Sequence, residues 1–227
     1  MQPNNQIPVK SIASDDGSVL LVHSVFYTIQ GEGPFAGCPA VFVRLGGCNL
    51  QCPGCDTEYT EGAKWYGIGE IVSMLHDSVQ LVVITGGEPF RQNISMLANS
   101  LVAVGIKVQV ETNGTLPPSK GLRESVAIVC SPKTGKVNKL LLPRITAWKY
   151  VGRAQDLACD DGLPVIALGH TAVPRLARPI GFAPVYLQPM DEQDPKLNAL
   201  HQKAVVDSCL KHGYRLCLQV HKIIGVE

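Results

Sequence analysis

Three cysteine thiols fall within one short loop of this chain, and their spacing sets the first chemical question. The run Gly46-Gly47-Cys48-Asn49-Leu50-Gln51-Cys52-Pro53-Gly54-Cys55 spaces them C-x3-C-x2-C. A loop containing glycine and proline can wrap a compact inorganic cluster and aim its amides at the sulfurs, which governs cluster electronics. A 4Fe-4S cluster has one more iron than Cys48, Cys52 and Cys55 can ligate. The open iron is chemically useful, because it can chelate the amino and carboxylate groups of a small molecule. Zinc is the competing reading. Structural zinc takes four closed ligands, so a fourth must come from elsewhere, such as Cys38 or a histidine. The three-cysteine spacing after a strand, with Thr85-Gly86-Gly87-Glu88-Pro89 after a later strand, favours the cluster. The chain has eight cysteines. The other five, Cys38, Cys130, Cys159, Cys209 and Cys217, read as small core hydrophobes.

The elements that must position this loop are short apolar, β-branched runs separated by helical stretches. Strands are predicted at 22–29, 40–45, 81–84, 107–111, 127–130, 147–151, 165–167, 184–187 and 215–219. Helices are predicted at 68–76, 93–104 and 197–212, the last presenting Leu197, Leu200, Ala204, Val205 and Cys209 on one face. Alternating buried strands and helices argue for an α/β fold with a parallel sheet and crossover connections. Four polar motifs then fall at carboxyl ends of strands: TGGEP (85–89), ETNG (111–114), SPK (131–133) and QPMD (188–191). That edge is where parallel sheets and barrels bind ligands.

The C-x3-C-x2-C loop followed by GGEP resembles the radical S-adenosylmethionine (SAM) superfamily. The resemblance implies a partial (β/α) barrel and a reducible 4Fe-4S cluster that cleaves SAM to a 5′-deoxyadenosyl radical. One departure stands at Gly54, where the superfamily often has an aromatic residue, so the adenine-side contact there is backbone only. The stretch Phe26-Tyr27-Thr28-Ile29-Gln30-Gly31-Glu32-Gly33 is more specific. With Arg44 closing the strand PAVFVRL, Cys55-Asp56-Thr57, SPK, QPMD and Gln219-Val220-His221-Lys222, it resembles the 7-carboxy-7-deazaguanine synthase family from about Phe26 onward. That family converts 6-carboxy-5,6,7,8-tetrahydropterin to 7-carboxy-7-deazaguanine with loss of ammonia, in queuosine-type 7-deazapurine biosynthesis. The resemblance further implies Mg2+, a homodimer and an external, flavodoxin-like electron donor. Another radical SAM enzyme, such as a glycyl-radical activase, and a non-enzymatic iron–sulfur or zinc protein are the alternative readings.

Residue roles follow from the resemblance, each with a plainer alternative. Ile29, Gln30 and Gly31 meet a flat pterin edge, or form only a turn after a strand. Arg44 pairs with a substrate oxyanion, for which its planar fork is suited, or makes a structural ion pair. Thr85 adds to the substrate site. Thr57 offers a hydroxyl to Mg2+, a cation that prefers oxygen; the alternative for Asp56-Thr57 is helix capping. SAM is assigned Gly54, Gly87, Glu88, Ser131, Pro132, Lys133, Gln188, Pro189, Met190 and Asp191. Within this set the glycine pair leaves room for the ligand, and Glu88 accepts hydrogen bonds from its ammonium group. No side chain is assigned as an acid or base, the radical coming from the cofactor. His23, His76, His170, His201, His212 and His221 are assigned no metal.

Bulk properties exclude some classes. The formal charge is +1, with no Lys/Arg run, so no nucleic-acid footprint is visible. No apolar run approaches the roughly 18 residues of a membrane span. The polar N-terminus lacks the apolar stretch of a signal peptide. The expectation is one radical SAM domain over 1–227 with its cluster loop at 46–57, cytoplasmic, where thiols serve metal or catalysis rather than disulfides.

Overall fold

The computed structural model describes residues 16–169 and 175–226. The N-terminal stretch read for a targeting signal, and His170, lie outside the described residues. Among the described residues nine strands form one open sheet in the order β3-β1-β2-β4-β5-β6-β7-β8-β9. β1 (Val19–Ile29) runs antiparallel to β2 (Pro39–Leu45) on one side and to β3 (Lys64–Gly67) on the other. From β2 onward every pairing is parallel: β4 (Leu81–Gly86), β5 (Lys107–Thr112), β6 (Ala127–Cys130), β7 (Ala147–Gly152), β8 (Val185–Pro189) and β9 (Arg215–Leu216). An open parallel sheet of this kind is what the predicted partial barrel requires.

Side chains alternate across a strand, so each strand divides its residues between two faces. One set, including Val41, Val43, Val82, Ile84, Val108, Val110, Ile128, Trp148, Tyr150 and Leu187, joins the main core with Leu97 and Leu101 of α2 (Ser95–Ala103) and Val205 of α3 (Pro195–His212). The alternate set is far more polar: Arg44 on β2, Thr85 on β4, Gln109 and Glu111 on β5, Lys149 on β7 and Gln188 on β8. The register places Arg44 beside Thr85. That second face is the floor of the site.

Several predicted boundaries move. The strand expected at 165–167 does not form; the nearby pairing is a single bridge between Leu157 and Pro164. Pro164 has no N–H with which to extend a ladder. The strand expected at 215–219 stops at Leu216, and Gln219 instead opens α4 (Val220–Ile224). The exposed strand β3 was not anticipated. The helix at 68–76 shortens to α1 (Ile68–Ser73), and that at 93–104 to α2, entered through Asn93 Oδ1, which accepts Ser95 N–H at 3.2 Å. α3 begins two residues earlier than expected. Asp194 caps it by accepting from Lys196 N (2.8 Å) and Leu197 N (3.1 Å), Pro195 occupies the first turn, and Gly213 ends it at φ 75°. Its buried stripe is His201, Val205, Ser208 and Cys209, while Leu197 and Leu200 are 44% and 53% exposed. The predicted apolar face was therefore rotated. The buried His201 earns its place through Nδ1, which accepts Ala154 N–H at 3.1 Å.

The connections from β5 to β6, β6 to β7 and β7 to β8 contain no α-helix among the described residues. Among the described residues no helix is long and apolar enough to cross a membrane.

Candidate active site

A cavity of about 580 Å3 opens over the polar sheet face and the carboxyl ends of the parallel strands. Its wall on one side is the cluster loop. Cys48 and Cys52 are buried and Cys55 half-buried, and all three line the cavity with Gly54 and Thr57. The loop is reached through a close backbone crossing. A Cβ at Gly87 would lie 1.9 Å from the Gly47 carbonyl oxygen, and one at Gly86, where φ is 120°, would lie 2.2 Å from that of Leu45. Gly87 N–H donates to Leu45 O (3.2 Å) and Glu88 N–H to Gly47 O (2.9 Å). The glycine pair of TGGEP thus admits the entry of the cluster loop, rather than only leaving room for a ligand.

Burial pushes all three thiols up, Cys52 to about 11 despite the opposing pull of the Lys133 ammonium. Thiols so placed keep their protons at neutral pH until a metal displaces them. The set fits a cluster: three sulfurs on one loop, facing one cavity, with Leu50 N–H 3.4 Å from Cys48 Sγ. Among the described residues no three His, Cys, Asp or Glu side chains come together as ligands of a single metal ion. Cys38, weighed as a fourth zinc ligand, packs instead with Phe35 and Phe42 against Ala40, Leu81 and Val83. Cys130, Cys209 and Cys217 are buried as expected, whereas Cys159 is exposed.

Four residues assigned to ligands do not line the cavity: Gly31, Glu88, Pro132 and Pro189. Glu88 is fully buried, and its carboxylate is already engaged. It accepts from Phe90 N (3.1 Å), Thr112 Oγ1 (2.8 Å) and Asn113 N (2.7 Å), tying the end of β4 to the end of β5. In this structure the carboxylate joins the two strand ends. Gly31 seats the C-terminal segment: a Cβ there would fall 1.9 Å from His221 Nδ1, and Val220 N–H donates to Gly31 O at 3.1 Å. Lys222 completes that docking by an ion pair with Asp191 (2.7 Å), which also accepts from Gln193 N and Asn198 Nδ2. These bonds hold the Asp191 carboxyl at about 2. Gly54 N–H donates to Leu168 O at 2.8 Å, so that backbone donor is already engaged.

The cavity floor carries a charge network that reading the strand ends did not single out. Glu32, Glu111 and Lys149 line the cavity together. Lys149 Nζ pairs with Glu32 Oε2 and stands 3.7 Å from Glu111 Oε2. Glu32 Oε1 also accepts from Gln188 Nε2 (3.2 Å) and Gln219 Nε2 (2.9 Å). Glu111 Oε1 accepts from Gln30 Nε2 (3.1 Å) and Gln109 Nε2 (2.9 Å). Burial raises the Glu32 carboxyl, but Lys149, with Gln219 and His221, carries it down to about 2. Burial lowers Lys149, yet its two carboxylates raise it well above the usual lysine value. The floor therefore holds two carboxylates against one ammonium.

Arg44 lies over the Phe26 ring at 5.1 Å and lines the cavity. Its buried Nε has no hydrogen-bond partner, and no ion pair forms to it among the described residues. A buried guanidinium N–H left open in a cavity suits an incoming oxyanion better than a structural pair. Lys133 Nζ donates to Ser131 Oγ at 2.6 Å and both line the cavity, as do Ile29, Gln30, Thr85, Gly87, Gln188, Met190 and Asp191. Burial, with Lys149 nearby, pushes the Lys133 ammonium down. Thr57 is not a helix cap: the first helix after it begins at Ile68, and its hydroxyl donates to Asp56 Oδ1 at 3.3 Å.

The signal for the missed residues was strand parity. Glu111 and Lys149 share the parity of Arg44 and Thr85 across the parallel register, and a lysine inside the buried strand AWKYVG is costly unless paired.

No family model matches the chain. Curated relatives named 7-carboxy-7-deazaguanine synthase do. That of Rhodospirillum rubrum is 41% identical over 96% of this chain and 97% of its own. That of Rickettsia prowazekii is 42% identical over 97% and 94%. That of Aquifex aeolicus is 39% identical over 92% and 95%. Among solved structures, QueE from Escherichia coli aligns with a TM-score of 0.68 at 23% identity, covering 88% of this chain and 94% of that one. At that identity the likeness is one of fold.

Proposed function

The chain belongs to the 7-carboxy-7-deazaguanine synthase family, and from that premise we propose that it converts 6-carboxy-5,6,7,8-tetrahydropterin to 7-carboxy-7-deazaguanine with loss of ammonia, as a radical SAM lyase. Near full-length identity to two synthases above 40% carries this reading. The cluster, when bound by Cys48, Cys52 and Cys55, supplies the electron that splits SAM into methionine and the radical that takes hydrogen from the pterin.

The protein's own residues position and shield. The pterin presents amino and ring N–H donors at one end and a carboxylate at the other. The floor carboxylates Glu32 and Glu111, which share the Lys149 ammonium, complement the donors. Gln30 keeps its side chain between Glu111 and the Glu32 N–H (3.0 Å), which fixes the edge of that floor. Arg44 takes the carboxylate. Ser131, Lys133, Gln188, Met190 and the segment at Asp191 enclose SAM, with Lys133 supplying positive charge for its carboxylate. His221 and Lys222 pin α4 over Gly31 and Asp191, which limits water entry. A homodimer in the cytoplasm, reduced by a flavodoxin-like donor, completes the proposal.

Anaerobic turnover of the pterin with SAM and a reductant tests it. The deazaguanine and ammonia are expected in equal amounts. SAM cleavage with the pterin unchanged would leave an activase as the better reading. In the same assay Arg44→Gln is expected to lower kcat/KM for the pterin about ten- to a hundredfold, since a hydrogen bond to a charged group is worth roughly 1.5–3 kcal/mol. SAM binding should not change. A variant with normal pterin kinetics removes Arg44 from the site.

Thr57 is proposed as the protein's oxygen ligand to Mg2+, which would hold the substrate carboxylate and several waters. Activity of the wild-type protein should rise with added Mg2+ and fall with a chelator that spares the buried cluster. Thr57→Ala should shift the Mg2+ activation curve to higher concentration. Because Thr57 caps no helix, its unfolding midpoint should barely move. An unshifted activation curve assigns the metal elsewhere.

A further inference from the structure

The ETNG turn after β5 touches the cluster loop through a side chain the reaction above does not use. Asn113 is buried, and its Nδ2 has two hydrogens with two acceptors. One is Asn49 Oδ1 at 3.0 Å; the other is Cys48 Sγ at 3.9 Å. The opposite end of the amide accepts. Asn113 Oδ1 takes Thr115 N–H at 2.9 Å and the Thr115 hydroxyl at 2.5 Å. Asn49 Nδ2 closes the ring onto Thr115 Oγ1 at 2.8 Å. This pattern fixes the amide orientation. Swapped, it would set NH2 against the Thr115 N–H and oxygen against the Asn49 oxygen.

Glu88 sets where this amide stands. Its carboxylate takes Asn113 N–H at 2.7 Å and Thr112 Oγ1 at 2.8 Å, while its own N–H donates to Gly47 O at 2.9 Å. Gly47 is the residue before Cys48. One buried residue therefore grips the turn that carries Asn113 and the backbone that delivers Cys48.

We infer that Asn113 is a positioning residue that tunes the cluster through Cys48, with Glu88 fixing its distance; this rests on the cluster reading of Cys48, Cys52 and Cys55. Adding an electron to an iron–sulfur cluster places negative charge on its ligand sulfurs. An N–H aimed at such a sulfur stabilises the reduced form more than the oxidised form, and so raises the reduction potential. The Leu50 N–H at 3.4 Å acts on the same sulfur, so Asn113 adds a side-chain donor to a backbone one. The motif glutamate, expected to contact SAM directly, acts here by holding the donor.

The test is the midpoint potential of the reconstituted cluster, followed by EPR during reductive titration without substrate. Asn113→Ser and Asn113→Asp both keep an acceptor for Thr115 and lose the donor to sulfur. Asn113→Ser should lower the equilibrium constant for reduction about three- to tenfold, where tenfold is 59 mV for one electron. Asn113→Asp should lower it further, because it adds a negative charge beside Cys48. A residue that served only the turn would lower the unfolding midpoint and leave the potential where it was. An unchanged potential in Asn113→Ser overturns the inference, and if Asn113→Ser does not fold, Asn113→Ala, which also removes the donor and adds no charge, decides. A wild-type chain that assembles no 4Fe-4S cluster from iron and sulfide sinks the cluster reading as well; a wild type with a cluster and variants with unmoved potentials sink this inference alone.

Discussion

Alanine at Cys48, Cys52 or Cys55 is expected to give a folded chain that holds no stable cluster and turns over no pterin. The three thiols share one cavity wall, and the loop between them is anchored independently of any metal. Gly47 N–H donates to Tyr59 O at 2.9 Å, Gly54 N–H to Leu168 O at 2.8 Å, and Arg91 Nη1 to Cys48 O at 3.3 Å. The fold thus outlasts the loss of one sulfur, while the cluster is left with only two ligands from this loop. Iron and sulfide content after anaerobic reconstitution, visible absorption and turnover are the measurements. Cys159→Ala and Cys209→Ala are the controls. The first thiol is exposed and the second packs in the main core, so both variants should keep cluster and activity. Cys209→Ala should lose about 1 kcal/mol of stability, the ordinary cost of a core truncation of this size. Full iron retention in any of the three loop variants, or a wild-type site filled by zinc alone under anaerobic conditions, would falsify the assignment.

Much of this site was legible because its ligands come from contiguous motifs. The cluster loop, TGGEP, SPK and QPMD announce themselves by glycine, proline and spacing, and the structure brings all four to one cavity edge. The motifs themselves do not announce their packing duties. Gly86, Gly87 and Glu88 also pack the cluster loop against β4, and Gly31 seats His221. Such uses depend on which backbone crosses which, and that is a tertiary fact. Lys149 failed to stand out for the opposite reason. It sits mid-strand in an apolar run, and its partners Glu32 and Glu111 lie 117 and 38 positions away in sequence. Only strand order makes them neighbours. The rotated face of α3 has the same origin. Leu197 and Leu200 fit a helical stripe with Val205 and Cys209, but the surface offered by β8, β9 and the turn at 154–156 keeps Val205 and Cys209 and takes His201 and Ser208 in place of the two leucines.

Removing the Lys149 ammonium is expected to produce the largest loss of stability at any single floor position. Lys149→Met keeps the length and apolar stem of the side chain but leaves Glu32 and Glu111 without their shared cation. Deleting one partner of a buried ion pair typically costs about 3–5 kcal/mol, because the remaining charge stays desolvated. The glutamine donors to each carboxylate soften this without supplying charge. The pH dependence should change sign. In the wild-type protein the Glu32 carboxyl sits at about 2, below its ordinary value of 4.5. Its contribution is therefore fully present above pH 4.5 and is lost as pH falls toward 2. Without Lys149, burial dominates and the carboxyl is expected above 4.5. The folded state then holds the proton more tightly than the unfolded chain, so stability falls as pH rises from 4.5 through the new value. Denaturant unfolding of both proteins between pH 3 and pH 7, roughly the span of that window, reads the two slopes. Turnover adds a second measure. A protonated floor carboxyl offers one acceptor fewer to the pterin N–H groups, so KM for the pterin should rise while SAM affinity and cluster content hold. Lys149→Arg keeps the charge and should recover the wild-type direction of the pH slope, at some cost in packing. A Lys149→Met protein with the wild-type slope and pterin KM would mean that the floor charges are balanced by a group other than Lys149.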